Sequence, residues 1–172
     1  MKPILLATDG SPSADAATRE AIDLACAFEA PLVVASVAQM VLPPYAGYYG
    51  YSEIAADFHR REAEHVSRIL AETQERAGTA GVDCETVALE GLPADEICRV
   101  ARERAPRLVV VGAHGWGPIG RLLHGSVSTH VLHHAPCPVL IVLGGEGDQA
   151  DGITATANGA TSARVAGGST PG

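Results

Sequence analysis

The chain is poor in aromatic side chains and in positive charge. Of its 172 residues 4% are aromatic, and 12 Lys and Arg residues stand against 20 Asp and Glu residues, which gives a net charge of −8. Lys2 is the only lysine, and the basic residues form no extended run. Nucleic acids and anionic membranes bind surfaces where Lys and Arg cluster. The composition therefore argues against both as partners.

Long apolar runs and paired cysteine motifs are also missing. No apolar segment approaches the length of about 20 residues that a membrane-spanning helix needs. The first apolar run, Ile4–Ala7, is too short for the apolar part of a signal peptide. The cysteines show no C-x-x-C spacing, so they are predicted to be reduced, buried thiols. These features favour a cytoplasmic protein. The four cysteines are Cys26, Cys84, Cys98 and Cys137.

What the sequence does contain is an alternation of predicted strands and helices over residues 1–143. Near-continuous apolar runs indicate parallel strands that are buried on both faces, and helical spacing fills the intervals between them. The pattern predicts one α/β domain with helices on both faces of an open sheet. The predicted strands are Pro3–Thr8, Leu32–Val37, Cys84–Leu89, Leu108–Val111 and Val139–Leu143. The predicted helices begin at Ser11-Pro12, span 53–80, begin at Pro93 and contain Ser128 to Leu132.

Residues 144–172 have a different composition. Gly, Ala, Thr and Ser dominate, and Ile153 and Val165 are the only large aliphatic residues. Such a segment buries too little apolar surface to offset the entropy lost on ordering. It is predicted to be a disordered tail.

The segment most informative about function follows the fourth predicted strand. Gly112, Gly115 and Gly125-Ser126 fit the pattern G-x2-G-x9-G-[ST], and a predicted helix comes next. Glycines let backbone N–H groups approach an anion, and a helix N-terminus adds unpaired N–H groups and a positive dipole end. The Ser126 and Ser128 hydroxyls can donate to the same anion. The segment is therefore predicted to bind phosphate groups.

Two other nucleotide-binding motifs fit less well. Gly115, Gly117 and Gly120 match G-x-G-x-x-G, but this fingerprint normally follows the first strand and is followed by an acidic residue about 20 positions on. Here that region is the apolar run Leu140–Val142. A P-loop needs G-K-[ST], which the sequence lacks.

Three further features allow two interpretations each. Asp9 either stabilises the turn at Asp9-Gly10 or contacts a ligand from the end of the first strand. His130 and His134, four positions apart, are either solvated helix residues or part of a metal site, for which the sequence offers no third ligand. The tyrosine-rich segment 45–51 is either a flap or partner surface, or a loop folded over its own apolar side.

With these motifs, residues 2–143 resemble the universal stress protein family. The resemblance is carried by the glycine segment, by Ser126-Val127-Ser128, by the run from His133 to Val139, and by the opening run Ile4–Ser11. It implies a Rossmann-like, five-stranded parallel sheet in the order 3-2-1-4-5, and a homodimer formed through the last strand. A ligand is expected where the strand order reverses, between the first and fourth strands.

The resemblance to the ATP-binding branch of the family also implies a site. Asp9 would lie near the ribose and a bound Mg²⁺, and the backbone of Val37 would meet the adenine. The remaining implied residues would surround or approach the phosphates: Gly112, His114, Gly115, Arg121, Gly125, Ser126, Val127 and Ser128.

The resemblance thus implies an ATP-binding regulatory protein of the stress response. No general base or clear transition-state cation is evident for phosphoryl transfer, so at most slow ATP hydrolysis is expected, not an enzyme's turnover. Two alternatives stay open. One is a dimerisation or adaptor module that binds no nucleotide, and the other is a sensor that binds AMP or cAMP at the same site.

Overall fold

A computed structural model describes residues 1–39, 51–113, 126–144 and 154–156, with the backbone alone for 51–54 and 154–156. Strands and helices alternate in chain order, as the sequence predicts. The strands are β1 (Ile4–Ala7), β2 (Leu32–Gln39), β3 (Cys84–Gly91), β4 (Leu108–Ala113), β5 (Val139–Leu143) and β6 (Thr154–Thr156). The helices are α1 (Pro12–Ala27), α2 (Tyr51–Thr79), α3 (Pro93–Arg104) and α4 (Ser126–His134).

The sheet has the order β3-β2-β1-β4-β5-β6. The first five strands are parallel, which confirms the predicted order 3-2-1-4-5. Ala7, the last residue of β1, pairs with Ala35 of β2 on one side and with Val111 of β4 on the other. From β1 the chain goes first to β2 and β3 on one side of the sheet. It then crosses through α3 to β4 on the other side of β1, so the strand order reverses between β1 and β4.

Helices cover both faces of the sheet. On one face α1 and α2 pack on alternate residues of the central strands, among them Ile4, Leu6 and Val110, which are fully buried. On the other face α3 and α4 pack on the intervening residues, including Leu5 and Val109. Residues that alternate along a strand point to opposite faces. The continuous apolar strands are therefore explained by burial on both sides.

The start of α1 follows the predicted capping pattern. The Ser11 hydroxyl accepts a hydrogen bond from the Ala14 N–H at 3.2 Å, and Pro12 occupies the first helical position. Proline suits this position because its missing N–H has no partner there in any case. The cap fixes the point at which the chain turns from β1 into α1, directly beside the carboxyl end of the strand.

The short strand β6 lies in the segment predicted to be disordered. It pairs antiparallel with β5, with Thr154 opposite Ile141 and Thr156 opposite Val139. For these three residues the structure differs from the prediction, because the outer side of β5 offers backbone groups with which an extended segment can pair. Residues 145–153 and 157–172 lie outside the described part of the chain, so the disordered tail stays a prediction there.

The cysteines differ in part from the prediction of buried thiols. All four are free, but only Cys98 is buried, Cys84 and Cys137 are half-buried, and Cys26 is exposed. Cys26 lies near the end of α1, where its side chain packs beside the Ala80 carbonyl and not under the helix. Within the described residues, no helix combines the length and apolar character needed to cross a membrane.

Candidate functional site

A cavity of about 240 Å³ opens at the carboxyl end of the parallel strands. It lies where the strand order reverses, because the ends of β1, β2 and β4 all contribute to its wall. Ligands of open α/β sheets bind in the crevice at this position. The lining residues are Ala7, Thr8, Asp9, Ala14, Ala35, Val37, Gln39, Pro93, Ile97, Val111, Gly112, Ser126, Val127 and Ser128.

Six of the ten residues predicted for the site line this cavity. They come from separate parts of the sequence and meet only in the fold: Asp9, Val37, Gly112, Ser126, Val127 and Ser128. The other four lie outside the described residues, so their positions stay predictions: His114, Gly115, Arg121 and Gly125. The tyrosine-rich segment is likewise outside the description except for the backbone of Tyr51, with which α2 begins.

The turn after β1 forms one wall of the cavity and is held by its own side chains. The Ser11 N–H donates to Asp9 Oδ1 at 3.0 Å, and the Gly10 N–H donates to Thr8 Oγ1 at 3.3 Å. Gly10 has a φ of +72°, a conformation that glycine adopts without steric cost. Asp9 therefore does stabilise the turn. Because its side chain is exposed and also lines the cavity, the turn role and a ligand role are compatible.

Gly112, the first glycine of the predicted phosphate segment, is required by packing. A Cβ atom at this position would lie 2.7 Å from the Ser13 carbonyl oxygen and 2.9 Å from the Ala14 backbone nitrogen. The end of β4 thus passes directly against the first turn of α1. This close approach brings the β4 end and the β1–α1 turn together on one side of the cavity.

The first turn of α4 forms the opposite wall. Ser126 is exposed and Ser128 is buried, and both line the cavity together with Val127. The first N–H groups of a helix have no partner within the helix, and they carry the positive end of its dipole. Two hydroxyls and a helix N-terminus are a suitable environment for an anion.

The remaining wall is mostly apolar and contains residues that the sequence analysis missed. Val37 and Gln39 lie at the end of β2, while Pro93 and Ile97 belong to the first turns of α3. The predicted second strand ended at Val37, two residues early, which left Gln39 out. The sequence predicts a helix start at Pro93, but only the topology brings α3 to the same end of the sheet as β1.

Formal charge in the described lining is limited to the Asp9 carboxylate; no Lys or Arg is among these lining residues. Mg²⁺ in nucleotide sites is held by one or two carboxylates together with the phosphates of the nucleotide and water. Asp9 fits that requirement, since its side chain is exposed on the cavity wall. In the described residues no group of three or more His, Cys, Asp and Glu is placed to hold a metal without a nucleotide.

The paired histidines of α4 contact each other and α3. The rings of His130 and His134 stack with centroids 4.1 Å apart, and His134 Nδ1 donates to the His130 carbonyl oxygen at 2.9 Å. His130 Nε2 lies 3.3 Å from Asp95 Oδ1. These contacts join α4 to the first turn of α3 at the helix surface, which favours the interpretation as solvated helix residues.

Comparison with known protein families gives a match over nearly all of the described domain. Residues 1–142 match the universal stress protein family. A universal stress protein of Thermus aquaticus is 36% identical over 141 residues, covering 82% of this chain and 98% of the relative. The match ends before the tail.

Solved structures give the same result. Universal stress protein UspA from Lactobacillus plantarum superposes with a TM-score of 0.70 at 26% identity, covering 82% of this chain and 97% of the other. A universal stress protein in complex with cAMP superposes with a TM-score of 0.62 at 30% identity, covering 82% of this chain and 96% of the other.

Proposed function

Because the chain belongs to the universal stress protein family, we propose that its cavity binds an adenine nucleotide, with ATP as the ligand, and that the bound nucleotide regulates a stress response. The observation that carries this proposal is the convergence of six predicted site residues on one cavity at the reversal of strand order. Chance placement does not readily bring residues from the ends of three strands and the start of a helix to one crevice.

In this proposal the phosphates lie against the first turn of α4. Its backbone N–H groups and the Ser126 and Ser128 hydroxyls donate to phosphate oxygens, and Gly112 leaves room for close approach. Gly115, Gly125, His114 and Arg121 complete the phosphate-binding side as the sequence predicts. A chain with a net charge of −8 thus binds a polyanion through N–H groups and hydroxyls.

The base and ribose lie on the other side of the cavity. Val37, Pro93 and Ile97 offer an apolar surface for the flat face of adenine, and the backbone at Val37 offers hydrogen-bonding groups to its edge. In this proposal the Asp9 carboxylate lies near the ribose and would coordinate Mg²⁺ when a triphosphate is bound. Mg²⁺ would offset the repulsion between this carboxylate and the phosphates.

The second candidate ligand is a monophosphate, AMP or cAMP. It is favoured by the relative solved with cAMP, which is 30% identical to this chain. Backbone N–H groups in the first turn of a helix bind phosphate oxygens whether the ligand has one phosphate or three. The role of Asp9 distinguishes ATP from a monophosphate, since the binding of a triphosphate should depend on Mg²⁺ and on this carboxylate.

The proposed role is binding and not rapid catalysis. The described lining supplies a single carboxylate and no Lys or Arg for the charge that develops in phosphoryl transfer. We expect ATP turnover far below the value of about 10 per second that is typical of enzymes. A purified chain with a turnover of that size would contradict this part of the proposal.

Calorimetric titration tests the proposal. The wild type is titrated with Mg-ATP, AMP and cAMP, and so are two full-length variants, Gly115→Val in the glycine segment and the matched control Gly159→Val in the tail. A β-branched residue at 115 should abolish nucleotide binding, while the control should bind as the wild type does. A wild type that binds none of the three nucleotides would instead support the nucleotide-free adaptor.

We also propose that the protein is a cytoplasmic homodimer formed through β5. Four free cysteines suit a reducing compartment, and the wholly apolar sequence of β5 suits a strand that pairs with another chain. Sedimentation equilibrium at chain concentrations from micromolar to millimolar tests the dimer. A monomer throughout that range, in both the wild type and a variant whose β6 cannot pair, would contradict it.

A further inference from the structure

The outer side of β5 has the character of a strand that needs a neighbour. Its sequence, Val-Leu-Ile-Val-Leu, contains no charge, proline or glycine. Val139 and Leu140 are buried, whereas Leu143 is 43% exposed. Natural proteins protect edge strands with charges, prolines or a covering segment, because unpaired backbone groups attract other strands. In β5 the first two kinds of protection are absent.

In this structure the third kind of protection is present, because β6 covers β5. Thr156, Ala155 and Thr154 lie opposite Val139, Leu140 and Ile141 in antiparallel register. The pairing uses the side of β5 that faces away from β4. Val142 and Leu143, at the carboxyl end of β5, extend beyond the part that β6 covers.

The covering strand belongs to this chain and not to the shared domain. The family match ends at residue 142, before β6 begins. β6 is only three residues long, and residues 144–153, which include four glycines, join it to β5. So short a strand is held by few residue pairs, and its pairing with β5 is therefore readily reversible.

We propose that β6 competes with a second copy of the chain for the outer side of β5, so that dimerisation requires the tail strand to leave. The proposal rests on the β5 dimer proposed above. The physical reason is that one side of a strand carries a single row of N–H and C=O groups, which pairs with one neighbouring strand at a time. The tail is tethered, so a second copy competes against a segment at an effective concentration in the millimolar range.

The competition has a measurable consequence. If only a fraction of the chains has an uncovered β5, the apparent affinity of the dimer falls by the square of that fraction, because both copies must be uncovered. Coverage of nine chains in ten weakens dimerisation about a hundredfold. The tail thereby sets the concentration at which the protein dimerises.

Two prolines in β6 test the competition in the full-length chain. Proline lacks the N–H group and fixes φ near −65°, so Thr154→Pro/Thr156→Pro should remove β6 from the sheet. The control is Ala160→Pro, which introduces proline into the same tail beyond the strand. For nine-tenths coverage, the double variant should have a dimer Kd in sedimentation equilibrium about a hundredfold lower than the wild type and the control.

The other outcomes overturn either the competition or the β5 dimer itself. Equal dimer Kd values for the wild type and the double variant would overturn the competition while leaving the β5 dimer intact. A weaker dimer in the double variant would overturn it as well, because β6 would then belong to the interface. If neither protein dimerises up to millimolar concentration, the β5 dimer itself is wrong, and the competition falls with it.

Hydrogen exchange supplies an independent measurement on the wild type. When the chain concentration rises through the dimer Kd, the backbone amides of Thr154–Thr156 should lose protection while those of Val139–Leu143 keep theirs. If the amides of β6 stay equally protected in the dimer, tail pairing and dimerisation occur together, and the competition is refuted.

Discussion

Replacing Gly112 by alanine probes the contact between β4 and α1 that shapes one side of the cavity. The added Cβ would lie 2.7 Å from the Ser13 carbonyl oxygen, 2.8 Å from the Ser13 carbonyl carbon and 2.9 Å from the Ala14 nitrogen. All three are backbone atoms in the first turn of a helix, and no side-chain rotation relieves the overlap. Either β4 or the start of α1 must move by several tenths of an ångström.

The size of the effect follows from the nature of these neighbours. Adding a methyl group to a well-packed region costs about 1–3 kcal/mol, and backbone contacts on two residues place Gly112→Ala at the upper end of that range. For a domain of this size, each 1 kcal/mol lowers Tm by about 2–4 °C. Because Asp9, Ala14 and Gly112 all line the cavity, the same shift should also weaken nucleotide binding.

Chemical denaturation followed by circular dichroism measures the effect, and two other glycines provide a graded series. At Gly144 the Cβ would lie 3.0 Å from the Ser13 Cα, so a smaller loss is expected. At Gly78, inside α2, no atom lies within 4 Å, and alanine should stabilise the protein by about 0.5–1 kcal/mol. A Gly112→Ala variant as stable as the wild type would refute the reasoning that packing requires this glycine.

Three further predictions concern the turn, the carboxylate and a buried thiol. Ser11→Ala removes the acceptor of the Ala14 N–H and should lower the free energy of unfolding by about 1 kcal/mol. Ser11→Thr keeps a hydroxyl and should not lower it, and thermal denaturation of both variants measures the difference. Asp9→Asn keeps an oxygen for the Ser11 N–H, so the free energy of unfolding should change by less than about 0.5 kcal/mol. The affinity for Mg-ATP, measured by calorimetry, should fall about tenfold. An unchanged affinity would exclude Asp9 from the nucleotide site. Burial raises the pKa of the Cys98 thiol, so above about pH 8.5 the unfolded chain ionises first and stability should fall as the pH rises through the folded-state pKa. Cys98→Ala should reduce that slope in urea titrations at several pH values, and an unaltered slope would contradict the assignment.

Much of the fold is predictable from the sequence because local and tertiary signals agree. Val109, Val110 and Val111 are buried on both faces of the sheet, and a continuous apolar run of this kind is typical of a parallel strand. Ser11-Pro12 and Pro93 marked helix starts that the structure has at the same positions. The strand order came from the resemblance to a family, since apolar runs alone do not specify which strands are neighbours.

The parts that sequence reasoning missed depend on tertiary contacts. β2 extends to Gln39 because it pairs with β3 as far as Gly91, and that pairing has no local signal. The three residues of β6 have a weak strand pattern and are ordered by the open side of β5. At Gly112 the sequence pattern indicates phosphate binding alone, because the close approach to Ser13 joins residues far apart in the sequence.

The measurement that tests the central claim most directly is the identification of the nucleotide that the protein retains. Freshly purified, undialysed chain is denatured, and the released small molecules are identified by liquid chromatography with mass spectrometry. The account predicts ATP at close to one molecule per chain. AMP or cAMP at that level would keep the site but change its ligand. A protein that releases no nucleotide and shows no heat of binding with added Mg-ATP, AMP or cAMP would contradict the account.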